Sequence, residues 1–395
     1  MFQRERVIDA LEVKADRFIG YEVQLSDALR AYEQLLSAMA SLTCAEVKDR
    51  LAGQSEPGAL PTDEHDRYAG FVVPFEPARQ WTNHEEAREW ARRTLVGVTT
   101  AAVDGSQITP SKDLSVPVGA VQVGWFVNPH APDVPYLKDL SFEVLAPDEL
   151  ADGEDDAFGF PDWRVNQRRF VGECQQLIAL MESAADSPRR MVCFLDGSLI
   201  VSFVQHMLPE RQLEYIGAIK GLLDASERCR IPLVGYVDTS YANDLAAMLD
   251  TLGGRRTTRR ISDGALFRQK LMWGDRTTAH VCARRDGVVT LEGSKYYERV
   301  VFVYLKATTD GPPARLDVPR WVLESGELDS VLDIVRAECI VGTGYPYASE
   351  TADAVAVITQ EDRDRFYRLF QEFAEKRSVP LRLSRKSTSK RGRRA

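Results

Sequence analysis

Two stretches decide the fold: VTTAAVDGSQ at residues 98–107 and MVCFLDGSLI at residues 191–200. Each is an apolar, β-branched run that closes on Asp-Gly-Ser, and each reads as a strand ending on an acid, Asp104 or Asp196. An Asp at the C-terminal end of a buried strand lies where an open α/β sheet meets solvent and takes its ligands. The following glycine permits a sharp turn and close ligand approach, and the serine can cap the next element. One Asp-Gly alone is a common turn signal. Two of them, on apolar strands separated by a helix, point to one shared site.

Working outward, VPVGAVQVGWFV (116–127) and LSFEVL (140–145) follow the first strand and suggest a three-stranded meander. Residues 163–186 predict a helix before the second Asp-Gly-Ser strand. A helix over 209–228, the buried strand IPLVGYVDTS (231–240) and the helix NDLAAMLDTL (243–252) come next. RVVFVYLKA (299–307) is a late strand, and 322–341 and 360–377 are late helices. The order βββ–α–β–α–β–α implies a mixed α/β sheet with helix-covered faces. Residues 1–53 read as helical, with apolar positions from Ile8 and Leu11 to Leu35 and Leu36 at helical spacing. A Gly/Pro break at 53–64 and a short helix at 84–95 follow. The expected organisation is therefore a helical region over 1–95, a catalytic domain over 96–380 and a basic disordered tail over 381–395.

Composition sets bounds. The 395 residues are 44% hydrophobic and 28% charged, ordinary for a globular protein that buries a core without staples. Fifty basic against 59 acidic residues give a net charge of −9, which excludes an overall basic coat but not a local basic channel. The six cysteines form no CxxC pair and are expected as small apolar residues in a reducing compartment. The charged N-terminus lacks an apolar signal core, and no stretch approaches a membrane span, so a cytoplasmic protein without membrane contact is expected.

A third carboxylate belongs with the two strand acids. In RRFVGECQQLIALMES (168–183), Glu173 lies four residues before Leu177, on the apolar face of the helix. A buried acid is costly unless it is paired, here by Arg169 one turn earlier, or binds a metal. The order strand Asp, two strands, helix Glu, strand Asp resembles the ribonuclease H-like fold, whose carboxylates converge on divalent metals. Phosphodiester hydrolysis needs an activated water and neutralised charge on the leaving oxygen, and two Mg²⁺ or Mn²⁺ ions about 4 Å apart supply both. Such hard cations take oxygen ligands.

The words around these acids are more specific than their order. AAVDGSQI, the Arg–Glu helix, the strand ending DGSL and GYPYASETADAVAVI (344–358), taken together, resemble the NurA nuclease family over roughly 95–375. The resemblance implies a Mn²⁺-dependent 5′→3′ exonuclease with endonuclease action on single strands. It also implies a homodimer that acts on DNA with a hexameric HerA-type ATPase in end resection or defence. Carried over, Asp104 is the first-strand ligand, Glu173 the helix ligand and Asp196 the bridging ligand. The late motif often carries a His; here Asp353 stands in its place. None of the five histidines lies in these motifs, so no catalytic His is expected.

Other features complete the reading. Tyr345 and Pro346 shape the segment before Asp353, or form an apolar turn. Asp238 is a peripheral ligand or the N-cap of the next helix. Arg255, Arg256, Arg259 and Arg260 cluster in one loop and would hold phosphates, or form a solvated loop. Trp125 and Phe126 are expected in the core. No GxxxxGK[ST] is present, so an ATPase must come from another chain. A non-catalytic adaptor with a nuclease-like fold is the competing reading. A small-phosphoester hydrolase is a third, weakened because Ala102 and Phe194 stand where a DxD acid would be.

Overall fold

The computed structural model describes residues 2–54, 56–151, 162–254, 261–284 and 296–382. The chain divides into two compact units, one of residues 1–87 with 236–326, the other of 88–235 with 327–395.

The second unit is built on the strands β1 (Thr99–Ile108), β2 (Gly119–Asn128), β3 (Leu137–Leu145) and β4 (Met191–Asp196), with β5 (Leu233–Val237) belonging to it as far as Gly235. Their spatial order is β3-β2-β1-β4-β5. β1, β2 and β3 are an antiparallel meander, and β4 lies parallel to β1. This is the ribonuclease H-like arrangement of a mixed sheet. Met191–Leu195 of β4 are all buried, as expected for a central strand covered on both faces. Five helices matter here: α1 (Asp162–Ala184), α2 (Pro209–Cys229), α3 (Leu328–Val341), α4 (Tyr347–Ala356) and α5 (Gln360–Lys376). Pro209 opens α2 at a position where its missing N–H costs nothing, and Arg230 closes it in the left-handed region. The expected helix 322–341 is two helices, Arg320–Glu324 and α3, because Gly326 takes φ +76° between them.

β1 corrects a boundary. The strand does not end on Asp104; it runs on to Ile108, held in a nine-residue ladder with β2 in which Asp104 faces Gly124. What ends near Asp104 is the parallel pairing with β4, whose last pair is Val103 with Leu195. Asp104 and Asp196 are thus the next residues on two adjacent strands, just past the point where those strands separate.

The first unit carries helices Arg4–Glu12, Ala15–Met39 and Cys44–Leu51, matching the helical reading of 1–53. Strand Gly58–Pro61 pairs with His280–Ala283, which pairs with Val300–Leu305, itself paired with Ala314–Pro319. The first, second and fourth of these strands were not expected. Buried charges in this unit are paired: Arg315 is shared by Asp244 and Asp317, and Arg276 forks onto Glu64. Asp238 does not cap the helix Asp244–Leu252. Buried Asp263 does so, accepting from the N–H groups of Leu245 (3.0 Å) and Ala246 (2.9 Å). All six cysteines are free thiols, and five are buried. Among the described residues, no helix is long and apolar enough to cross a membrane.

Candidate active site

The four acids singled out from the sequence all belong to the second unit. Successive strand residues point to opposite faces of a sheet. Asp104 and its partner Gly124 face α4, and Gly105 faces α1. The glycines show this directly: a Cβ at Gly124 would meet Ala356 of α4, and one at Gly105 would meet Glu173 and Arg169 of α1.

Asp104 is the centre of the group. The side chain of Asp353 is hydrogen-bonded to it, and the carboxylates of Asp196 and Asp353 both act on its charge. Desolvation first, then these two neighbours, raises Asp104 to about 6, against the lowering effect of the Gly105 N–H. Asp196 and Asp353 are exposed, and Tyr345 donates its hydroxyl to Asp196 Oδ1 at 2.7 Å. Tyr345 therefore reaches one of the acids, which sequence reasoning had left as a shaping residue or an apolar turn.

Glu173 pairs with Arg169, the first of the two roles considered for it. Arg169 Nη1 binds its Oε1 at 2.7 Å and the carbonyl of Gly105 at 3.2 Å. Glu173 is nonetheless buried, and desolvation outweighs Arg169, raising it to about 8, with Asp104 and Asp196 adding to the rise. Among the described residues, no group of three or more His, Cys, Asp or Glu side chains is arranged so that it could hold a metal ion. The donors are all carboxylates, the oxygen ligands that Mg²⁺ and Mn²⁺ favour. Asp104 is raised first by desolvation and then by its carboxylate neighbours, and a cation would offset the latter. The chemistry of the donors suits a divalent cation, while the side chains as placed do not enclose one.

The helix α4 was not expected; only its Tyr-Pro motif was. Pro346 stands at its N-cap, and YASETADAVA lacks any breaker. Its placement depends on Glu338 of α3, a fully buried acid whose carboxylate accepts from the Ala348 N–H (2.8 Å) and from Thr100 Oγ1 on β1 (2.9 Å). His130 Nε2 lies 3.4 Å from the same carboxylate. Burial raises the pKa of Glu338. At the other end of α4, Gln122 of β2 donates to the Ala356 carbonyl at 3.0 Å. No short-range sequence signal could have revealed the role of Glu338, because Thr100, one of its partners, is 238 residues away. Phe126 is in the core against Tyr347. Arg255, Arg256, Arg259 and Arg260 lie outside the described residues, as do most of the acidic loop at 148–162 and the basic tail.

A protein-family model described as the NurA domain matches residues 98–358, most of the chain. No curated protein matches. Among solved structures, the catalytic domain of human endonuclease V is similar at 13% identity, over 78% of this chain and 100% of that one, with a TM-score of 0.31. The C-terminal lobe of a budding yeast Argonaute is similar at 10% identity, over 67% of this chain and 48% of that one, with a TM-score of 0.29. Drosophila Piwi is similar at 12% identity, over 66% of this chain and 29% of that one, with a TM-score of 0.27. These superpositions are loose, and the fold assignment rests on the strand order.

Proposed function

The chain belongs to the NurA family, and from that premise we propose that it is a divalent-metal-dependent deoxyribonuclease. The supporting observation is the meeting of Asp104, Asp196 and Asp353 at the separation of two parallel strands. Asp104, Asp196 and Asp353 would hold Mn²⁺ or Mg²⁺, and Glu173 would join once released from Arg169. When bound, such ions lower the pKa of water and neutralise the leaving oxygen of a phosphodiester. Tyr345 orients Asp196 by its hydrogen bond, and Arg169 places a guanidinium beside the acids. Released from Glu173, that guanidinium offers the planar donor fork suited to a phosphate.

The finer reading follows the family. The substrate is DNA, degraded 5′→3′ from ends with endonuclease action on single strands. The working form is a homodimer, coupled to a HerA-like hexameric ATPase because this chain lacks a P-loop. End resection and defence against foreign DNA are both served by such an activity. One observation favours the adaptor instead: among the described residues no group of three or more His, Cys, Asp or Glu side chains is arranged to hold a metal ion.

The test is cleavage of single- and double-stranded DNA, labelled at either end, with Mn²⁺ or Mg²⁺, beside Asp196→Asn. Cleavage lost in the variant supports the nuclease, and the label retained gives polarity. Equal cleavage by both proteins refutes the site. Silence from the wild type, repeated with the cognate ATPase and ATP, establishes the adaptor.

A further inference from the structure

The hydrolytic chemistry leaves one aromatic group at the rim of this site unused. After Asp196-Gly197-Ser198 the chain enters a single 3₁₀ turn, Ser202–His206, whose Phe203 is 52% exposed. Its ring is anchored. It meets Tyr215 of α2 at 5.2 Å and 89°, and Phe170 of α1 at 6.1 Å and 79°. Phe170 and Tyr215 meet each other at 5.1 Å, and Tyr215 is buried, so the cluster is rooted in the core. Phe170 stands three residues before Glu173, about 4.5 Å along the helix axis, and next to Arg169. The charge of Arg169 also reaches the Tyr215 hydroxyl. The open ring therefore packs on Phe170, one helical turn from Glu173 on α1.

The size of the open surface decides what covers it. An aromatic side chain can bury roughly 150–250 Å², so half of Phe203 presents about 100 Å². A protein interface needs roughly 800 Å² from each partner. Over residues 199–209 the only other large apolar side chain counted as exposed is Leu208, beside polar Ser202, Gln205 and His206. The patch is the size of one ring, not of a protein contact.

We propose that Phe203 is a stacking platform for one unpaired nucleobase of the strand whose phosphate lies at Asp104 and Asp196. The inference rests on the proposed nuclease function. Every base has a π-face, so the platform carries no sequence preference. Only an unpaired base can offer that face, so the platform selects single strands and frayed ends over closed duplex.

The experiment uses the full chain in an Asp196→Asn background with EDTA and a fluorescent 20-nucleotide oligo-dT. Phe203→Leu keeps an apolar side chain and removes the ring; Phe203→Trp keeps a ring. Phe203→Leu is expected to weaken binding about 5- to 100-fold, the range that stacking one base on an aromatic ring provides, while Phe203→Trp binds as Phe203 does. Replacing one nucleotide with an abasic site should weaken binding at one position, and have no further effect in Phe203→Leu. In the Asp196 protein, Phe203→Leu should raise KM more than it lowers kcat. Equal binding by Phe203→Leu and Phe203 overturns the platform. If that result accompanies cleavage that depends on Asp196, the nuclease stands and only the platform falls. Ring-dependent binding without any cleavage by the wild type sinks the nuclease and leaves the base contact.

Discussion

Gly124 offers a measurable link between packing and chemistry. It faces Asp104 across the β1–β2 ladder, and α4 rests on it. A Cβ at this position would lie 2.7 Å from Ala356 N, 3.0 Å from Ala356 Cα and 3.0 Å from Val355 C. These are backbone atoms, so no rotamer change relieves the clash. Ordinary contact begins near 3.4 Å, so α4 must recede by 3.4 less 2.7, or about 0.7 Å. Asp353 lies one turn before Ala356 on the same helix and moves with it, away from Asp104. Inserting a methyl into a packed site costs ~1–3 kcal/mol, and replacing a strand glycine returns ~0.5–1 kcal/mol. The fold should therefore lose no more than ~2.5 kcal/mol in Gly124→Ala. Activity should suffer more, because a misplacement near 1 Å costs on the order of 100-fold. The control is Gly119→Ala on the same strand, whose Cβ would press on the Val165 and Leu150 side chains of the opposite face. The assay is kcat on end-labelled DNA beside thermal unfolding of both variants. A ten- to hundredfold loss of kcat in Gly124→Ala alone is expected. Activity within twofold of wild type in Gly124→Ala, or an equal loss in Gly119→Ala, refutes the role of α4.

Three further outcomes follow from the geometry. Glu338→Ala strands the Ala348 N–H and the Thr100 hydroxyl in the interior, at ~1–3 kcal/mol each; chemical denaturation should show the loss, and Glu338→Gln, whose one oxygen can still accept from the Ala348 N–H while its amide donates to the Thr100 hydroxyl, should recover part of the stability and activity. Tyr345→Phe removes one hydrogen bond to an exposed carboxylate and should lower kcat about three- to thirtyfold with unchanged melting, an effect of ~0.7–2 kcal/mol; a change confined to KM would argue against it. His280 is buried between Phe71 and Phe302, and burial lowers it to about 4. The unfolded chain therefore binds the extra proton between pH 6.5 and 4, so the contribution of His280 to stability is present above pH 6.5 and is lost as pH falls toward 4, by ~3 kcal/mol. Denaturation midpoints of His280→Phe should lack this acid slope, and an unchanged slope would assign it elsewhere.

Much of the second unit was legible because its signals are local. The apolar run of 191–195 predicts a central strand, and the structure buries every one of its residues. The alternation in 116–127 and the spacing in 163–186 give β2 and α1. The paired Asp-Gly-Ser words led to two acids that lie on adjacent strands at one level. What stayed hidden depends on tertiary context. Asp-Gly-Ser after Val103 reads as a turn, yet β2 continues to supply hydrogen bonds, and the strand runs on to Ile108. The segment 344–358 was quoted for its motif, and its helix was missed because Tyr-Pro draws attention to a turn. The short strand Gly58–Pro61 exists only because His280–Ala283, far along the chain, pairs with it. Glu338 looks like any helical acid until Thr100 and Ala348 are brought to it.

The discontinuity of the second unit has a consequence for how the protein is made. Gln122, which receives the end of α4, and Ala356, which it binds, are 234 residues apart. At about 5–20 residues per second of synthesis, the interval between them is on the order of 10–50 s. During that time the ribosome has released Asp104, Glu173 and Asp196, but Asp353 and Tyr345 have not yet been translated. A nascent or prematurely terminated chain thus carries three acids of the group without the helix that completes it. Under the proposed function, synthesis order itself would keep a truncated product from being a competent nuclease.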